Sequence, residues 1–485
     1  MPLYSLEFLI FLSIVFILYW TLFKNTAPAQ NTLLTIASLF FYGWVDWKCL
    51  SLLIFSTLFN FYFGRLIHKN NHARTRWLLL CGGLTVNLGI LVYFKYFHFF
   101  YTSFIGFFGL YDNATAHSTL QIILPLGISF FTFQAIGYLI DLYNEETEPC
   151  PRLLDFAVFM TYFPKITAGP IERAEDFIAR INIKREFNDN QAVDGMRQIL
   201  WGSFAKLVIS NNCATLTNPI FDNYLHLPGS TLLLGAFLYT LQVYCDFSGY
   251  SNIAIGISKL LGIPLMRNFA SPFFSTSIRE YWRKWHISLS SWMMHYLFTP
   301  LSFSLRRYHK MGLIISVMTT FLLIGLWHGA NWTYIVFGSL HGLYFIPSIL
   351  AGTAGSASTT YSRKIQLLKR IAQMLGLFIL VMLTLVFFGS NSVPAAVQYL
   401  SGLFSPSLFS PPVLPPPAGL AKVLATTLFI LLLFTVEWLQ KDKDHEMHIT
   451  HITSPALRIG IYYAIILAIL LFGSVIHIDF LYSQF

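Results

Sequence analysis

The chain has 485 residues, of which 55% are hydrophobic and only 11% are charged, and its formal net charge is +9. Its mean hydropathy is +0.60, whereas charged residues make up about 25% of an ordinary soluble domain. This composition excludes a water-soluble protein. The long uncharged runs described below predict an all-α polytopic membrane protein, because about 20 apolar residues form a helix that crosses a bilayer.

The first apolar segment covers residues 4–22, and no basic stretch precedes it. We therefore expect a retained helix and not a cleaved signal peptide. By the length rule the whole chain contains roughly ten to thirteen spans or half-spans. No long polar linker interrupts them, which predicts a single membrane domain over residues 1–485. The domain divides into scaffold helices in 1–110, a core in 120–350 and carboxyl-terminal helices in 365–485. Uncharged runs of about spanning length occupy residues 77–94, 371–389 and 461–476.

Positive charges concentrate in a few short stretches between the apolar runs. Basic loops remain on the cytoplasmic side of a membrane, so this asymmetry explains the charge without any nucleic-acid partner. It places the amino terminus, the uncharged stretch 390–421 and the carboxyl terminus outside the cytoplasm, with the proline-rich residues 405–417 in an external loop. The basic clusters are Arg65-Lys69-Arg74-Arg76, Arg306-Arg307-Lys310, Arg363-Lys364-Lys369-Arg370 and Lys441-Lys443.

Between residues 120 and 345 the apolar segments are repeatedly interrupted by glycine, proline and polar residues. Examples are the stretches 124–134, 162–173 and 244–251. Irregular backbone at membrane depth is tolerated only where it is buried in protein or lines a watery cavity. The region is therefore expected to surround a cavity. Either the active site of an enzyme or the pore of a channel would explain such a cavity.

Residues 278–292, IREYWRKWHISLSSW, combine basic residues with tryptophans and a histidine. At helical spacing Arg279 and Arg283 share one face, while Trp282 and Trp285 lie on the other with Leu289. This pattern predicts an amphipathic interfacial or re-entrant helix. Its cations either anchor the helix to the membrane surface or bind the phosphates of an acyl donor.

Residues 312–327 form an uncharged apolar run that ends at His328, between Gly325 and Gly329. An ionisable group at membrane depth is a candidate functional residue. The alternative is a structural histidine that bonds a neighbouring helix. The two glycines favour function because they leave room for a close backbone or a ligand.

The stretches YCDFSGYSNIAIG, REYWRKWHISLS and GLWHGANWTYIVFGSLHG together resemble the membrane-bound O-acyltransferase superfamily. LPLGISFFTFQAIGYLIDLY and FPKITAGPIER are similar to its bacterial branch of alginate O-acetylation proteins, which also includes the D-alanyl transfer protein of teichoic acids. The resemblance runs in order from about residue 5 to about residue 350.

The resemblance implies a ring of transmembrane and re-entrant helices around a central tunnel that opens on both sides. It implies that His328 is catalytic and that His286 is the second signature histidine. The candidate phosphate-binding residues, which follow from the basic residues of 278–292 and not from the resemblance, are Arg279, Arg283 and Lys284.

The chain departs from its relatives at residues 292–297 and after, where an Arg-Asp pair and a later glycine turn are missing, and at Lys165, where a histidine or small polar residue is more usual.

Other candidate residues have weaker patterns. Asp246 reads as a helix-packing carboxylate more than as an acid catalyst, because polar groups in bundles pair across helices. Asn331 and His341 are candidates to shape an acceptor funnel on the outer side of His328. The five cysteines are scattered and suggest neither disulfides nor a metal site, so we expect no metal and no permanently bound cofactor.

The resulting prediction is a multi-pass acyltransferase of the cytoplasmic membrane that uses acetyl-CoA or another acyl donor as a substrate. Its acceptor would be an extracytoplasmic polysaccharide, reached directly or through an acyl-carrier or SGNH-type partner protein. Transfer of D-alanyl or another acyl group to an envelope polymer is an alternative. A transporter with polar residues at the midplane is another.

Overall fold

A computed structural model describes residues 1–108, 124–352, 363–414 and 419–473. The described residues form two compact units. The first comprises Met1–Met196 and Ile253–Met266, and the second comprises Arg197–Asn252 and the residues from Arg267 onward. The single membrane domain over residues 1–485 stays a prediction.

Helices account for the secondary structure throughout the described ranges. The α-helices are α1 Leu6–Thr21, α2 Ala27–Val45, α3 Trp47–Lys69, α4 Ala73–Leu91, α5 Phe97–Phe107, α6 Ile128–Tyr143, α7 Leu153–Thr161, α8 Ala174–Asn182, α9 Asp189–Ser203, α10 Asn211–Asp222, α11 Gly229–Leu260, α12 Ile278–Lys284, α13 Ile287–Met293, α14 Thr299–Ser304, α15 His309–His328, α16 Trp332–Ala351, α17 Arg363–Gly389, α18 Val393–Leu403, α19 Leu420–Gln440 and α20 Pro455–Phe472. Short π-helical segments occupy Val92–Tyr96, Phe204–Ser210 and Met294–Phe298.

Seven helical segments in the described part of the chain are long and apolar enough to cross a membrane. Two shorter apolar helices, α1 and α6, accompany them. The predicted all-α membrane fold is confirmed, although by this criterion the described residues hold fewer full spans than the ten to thirteen spans or half-spans expected. The seven segments are Trp47–Lys69, Ala73–Phe107, Arg306–His328, Trp332–Ala351, Ile365–Gly389, Lys422–Gln440 and Pro455–Phe472.

In the first unit, α6 is buried along nearly its whole length. It begins after Gly127, which has a φ of +69° and where a side chain would meet the carbonyl oxygen of Ile166. Lys165, the unusual residue before the Ala-Gly-Pro element, is buried and donates to Gln134 Oε1 at 2.7 Å and to the Phe159 carbonyl at 2.7 Å. The buried amine thus has hydrogen-bond acceptors within the protein.

In the second unit, an apolar cluster joins α10, α11, α17 and α18. Its buried members are Ile220, Leu232, Ala236, Met382, Val386, Phe387, Ala396, Tyr399 and Leu403. The Tyr399 hydroxyl donates to the carbonyl of Leu232 at 2.7 Å, which satisfies the polar end of a buried ring. This cluster holds α17 against α11, and Phe388 of α17 contacts the candidate site described below.

The five cysteines are free thiols, as expected. The proline-rich stretch contains a 3-10 turn at Pro406–Phe409 and has no regular secondary structure at residues 411–414. Residues 415–418, with three of its prolines, lie outside the described residues. The expected central cavity stays a prediction.

Candidate active site

His328 is the last residue of α15, and its imidazole is enclosed by aromatic rings. Only 2% of the residue is exposed. The ring centroids of Trp327, Phe337 and Phe388 lie 5.2, 5.6 and 5.3 Å from that of His328. α15 ends here because Gly329 adopts an extended conformation, with a φ of −177°. The apolar run therefore delivers one imidazole to a site from which most bulk water is excluded.

The helices α15 and α16 approach each other closely at two glycines. A Cβ atom on Gly325 would lie 2.2 Å from the carbonyl oxygen of Tyr334, and one on Gly338 would lie 2.2 Å from that of Phe321. Real Cβ atoms do not approach other atoms so closely, so only glycine fits at either position without a shift of the backbone. This confirms that Gly325 provides space for a neighbouring backbone, and it fixes the position of His328 at the end of the hairpin.

His286 lies in a sharp break between α12 and α13. Its backbone is left-handed, with φ 43° and ψ 57°, and the residue is fully buried. Its ring packs edge-on against Phe247, with the centroids 4.6 Å apart. The sequence predicted one continuous helix over residues 278–292, and this is wrong. The chain turns at His286, which carries Leu289 into a second short helix.

Trp327 brings the two predicted histidines into one site. The centroid of its ring lies 5.4 Å from that of His286 and 5.2 Å from that of His328. The sequence placed Trp327 in the motif without a role, and Phe388 was not singled out at all. Phe388 lies 60 residues after His328 in an apolar helix, and nothing in the sequence distinguishes it from its neighbours.

The basic residues of α12 divide into two kinds. Arg279 and Arg283 are exposed, whereas Trp282 and Trp285 are buried, as the amphipathic pattern predicted. Lys284 is half-buried and donates to Glu280 Oε1 at 2.8 Å. Glu280 also accepts from the backbone N–H of Thr276 at 2.8 Å. The Lys284 charge is therefore compensated within the helix, which leaves the two arginines as the better candidates for an anionic ligand.

His341 does not lie on the same side of His328 as Asn331, contrary to expectation. It packs beside Phe321, near the middle of α15, because the hairpin runs antiparallel. Its Nδ1 accepts a hydrogen bond from the indole N–H of Trp282 at 3.3 Å. Asn331 instead caps α16, where its side chain accepts from the backbone N–H of Thr333 at 3.0 Å.

Two residues of α11, the helix that carries Phe247, form buried polar pairs with residues of other helices. Asp246 pairs with Lys206, a residue of the π-helical segment Phe204–Ser210 that the sequence analysis did not single out. Tyr244 donates to Glu437 Oε1 at 2.6 Å across 193 residues of chain. Asp246 therefore has the helix-packing role expected of it.

Comparison with known proteins shows that residues 146–390 match the family model of MBOAT, the membrane-bound O-acyltransferase family. The chain is 36% identical over 384 residues to the probable alginate O-acetylase AlgI of Pseudomonas aeruginosa, covering 78% of this chain and 70% of the relative. It is 33% identical over 430 residues to the peptidoglycan O-acetyltransferase of Helicobacter pylori, covering 81% and 77%. The teichoic acid D-alanyltransferase of Bacillus subtilis is 31% identical over 247 residues, which is 47% of this chain and 59% of that protein.

Proposed function

Because the chain belongs to the membrane-bound O-acyltransferase family, we propose that it transfers an acetyl group from acetyl-CoA to hydroxyl groups of an extracytoplasmic polysaccharide. Membership makes the protein a membrane acyltransferase and removes the transporter alternative as its main activity. The acetyl group is favoured over D-alanyl because the two relatives named for acetyl transfer match 78% and 81% of this chain, whereas the D-alanyltransferase matches 47%.

The polymer receives the acetyl group either directly or through a partner that carries the acyl group. An alginate-like polysaccharide and peptidoglycan are the acceptors that the names of the relatives suggest. D-alanyl transfer to a teichoic acid is the second candidate, supported by the weaker match. We place the protein in the cytoplasmic membrane, with the basic clusters inside and both termini outside, because basic loops remain cytoplasmic.

The observation that carries the proposal is that the rings of His286 and His328 both contact the ring of Trp327. In the reaction, the oxygen of an acceptor hydroxyl attacks the thioester carbonyl. The imidazole of His328 takes the hydroxyl proton as this C–O bond forms, and the C–S bond then breaks. The departing thiolate receives the proton, so the products are an ester and free coenzyme A.

The position of His328 suits this role as base. The residue occupies the last turn of α15, where the negative end of the helix dipole stabilises a cation. An imidazolium that forms there gains up to about 2 kcal/mol in a partly buried setting. Arg279 and Arg283 would bind donor phosphates, for which planar guanidinium groups are well suited. His286 would bind the thioester carbonyl or orient the acceptor.

The proposal is tested with purified protein in lipid nanodiscs, radiolabelled acetyl-CoA and a panel of acceptors, namely alginate, peptidoglycan fragments and a teichoic acid. We expect label to appear as an alkali-labile ester on a polysaccharide, with release of one free thiol for each ester. His328→Ala should be inactive, and His451→Gln, a change at an exposed histidine, should be as active as the wild type.

Transfer of D-alanine to teichoic acid, with no acetyl transfer to any polysaccharide even when a candidate carrier protein is added, would replace the first candidate by the second. Ester formation by His328→Ala at the wild-type rate would contradict the proposed chemistry.

A further inference from the structure

Asn268 lies beside His286 in a hydrogen-bond network that fixes the orientation of its amide. The residue is fully buried. Its Oδ1 accepts from the backbone N–H of Ser288 at 3.2 Å and from the Ser288 hydroxyl at 2.9 Å. Its Nδ2 donates to the hydroxyl of Ser251 at 3.2 Å. Since a backbone N–H can only donate, the atom that faces Ser288 must be the oxygen.

The same oxygen determines which nitrogen of His286 carries the proton. Nδ1 of His286 lies 3.2 Å from Asn268 Oδ1. A carbonyl oxygen can only accept, so Nδ1 is protonated and the lone pair of the neutral ring is on Nε2. The backbone carbonyl of Asn268 also accepts from the N–H of Ile287 at 2.9 Å, which supports the left-handed turn at His286.

We propose that Asn268 is the positioning residue of His286: it fixes the Nδ1–H tautomer, so that Nε2 accepts a hydrogen bond from a hydroxyl of the acyl acceptor next to the one that attacks, and does not donate one to the thioester carbonyl. The inference rests on the proposed acyl transfer and decides between the two roles left open for His286. A group that only orients the acceptor stays neutral through the reaction, while His328 takes the proton.

The opposite arrangement at His341 shows that the two tautomers are set by different partners. The indole N–H of Trp282 can only donate, so Nδ1 of His341 holds the lone pair and Nε2 carries the proton. Two buried histidines of one unit are thus held in opposite tautomers, one by an amide oxygen and the other by an indole N–H.

The surroundings of His286 favour a neutral ring. Burial lowers its pKa. Its contacts include the rings of Phe247, Phe269 and Trp327. Near these contacts along the chain, Asp246 pairs with Lys206, and Lys284 pairs with Glu280. Arg267, which precedes Asn268, lies 3.8 Å from Glu446. A further titratable group is His328, which follows Trp327.

The tautomer is measured directly by nitrogen NMR of protein labelled with ¹⁵N-histidine in nanodiscs, with the His286 signals identified by their loss in His286→Gln. We expect a protonated Nδ1 and a non-protonated Nε2 in the wild type and in Asn268→Asp, which keeps the acceptor. Asn268→Leu should lose this preference. Protonation of Nε2 in the wild type would overturn the proposal, whatever the activity of the protein.

Kinetics supply the second readout. Asn268→Leu should raise the KM for the acceptor or lower kcat by on the order of tenfold or more, while the KM for acetyl-CoA stays unchanged. Asn268→Asp should retain transfer, but with the acidic limb of its pH profile moved to higher pH, because a carboxylate stabilises the imidazolium. The matched control Asn252→Asp changes an amide that bonds Gln198 on α9 and should move neither limb.

Two results separate this inference from the proposed function. If the wild-type protein shows the expected tautomer but transfers no acyl group, acyl transfer is contradicted, while the role of Asn268 in fixing the tautomer of His286 stands. Normal kinetics and an unchanged tautomer in Asn268→Leu would contradict the positioning role while leaving acyl transfer intact.

Discussion

The two predicted histidines differ in the conformation of the backbone that carries them. His328 closes a twenty-residue helix, whereas His286 sits in a left-handed break before the seven-residue helix α13. The carboxyl end of a helix stabilises a cation and the amino end disfavours one. The dipole of α15 therefore favours a proton on His328, whereas His286 follows the carboxyl end of α12 and precedes the amino end of α13, whose effects oppose each other, and burial lowers its pKa.

The regions that carry them are also held differently. The α15–α16 hairpin is fixed by the close approach of backbones at Gly325 and Gly338. The α12–α13 segment is fixed by hydrogen bonds, with Asn268 bonded to Ser251 and Ser288. Steric fit should make the hairpin intolerant of any added atom, while the bonded turn should tolerate changes that keep its donors and acceptors.

The largest effect is expected at the hairpin. Gly338→Ala places a methyl group against the Phe321 carbonyl and should lower the free energy of unfolding by about 1–3 kcal/mol or more. Gly376→Ala is the matched control, since nothing lies within 4 Å of a Cβ at that position in α17. Thermal unfolding of both variants in the same detergent measures the difference. Equal unfolding temperatures would show that the hairpin is not closely packed.

A smaller effect is expected at the turn. His286→Val puts a β-branched residue at positive φ, where L-residues are strained by about 1–2 kcal/mol. His286→Asn should be strained less, because asparagine tolerates the left-handed region. The valine variant should therefore unfold at a lower temperature than the asparagine variant. If the order were reversed, the left-handed turn would not be a feature of the folded protein.

The smallest effect is expected on α12. Replacing both Arg279 and Arg283 by glutamine should raise the KM for acetyl-CoA by roughly tenfold, as for the loss of a charge-assisted hydrogen bond. Lys284→Gln should change KM less, because this ammonium is paired with Glu280. Initial rates at several donor concentrations and two salt concentrations test both statements. An unchanged KM in the double variant would support membrane anchoring by these arginines.

Much of the architecture was predictable because it depends on local patterns. The apolar runs became α1, α4, α15, α17 and α20, and the face of α12 followed from helical spacing. The turn at His286 was missed because histidine is only a weak indicator of positive φ and the helical spacing of its neighbours continues past it.

The partners of the site were missed for a different reason. Asn268 is 18 residues from His286, Lys206 is 40 from Asp246, and Glu437 is 193 from Tyr244. Such pairs are chosen by tertiary packing, which the spacing of residues along one helix does not describe.

The central claim is that His328 is needed for the chemical step and not for folding or donor binding. It is tested most directly by mixing limiting acetyl-CoA with excess His328→Gln protein, at a protein concentration well above the dissociation constant of acetyl-CoA and with saturating acceptor, and following a single turnover. The dissociation constant of acetyl-CoA is measured alongside. Glutamine keeps polarity but cannot take the proton at neutral pH. We predict an unchanged dissociation constant and a rate lower by roughly 10²-fold or more. A single-turnover rate near that of the wild type would make His328 structural and would contradict the account.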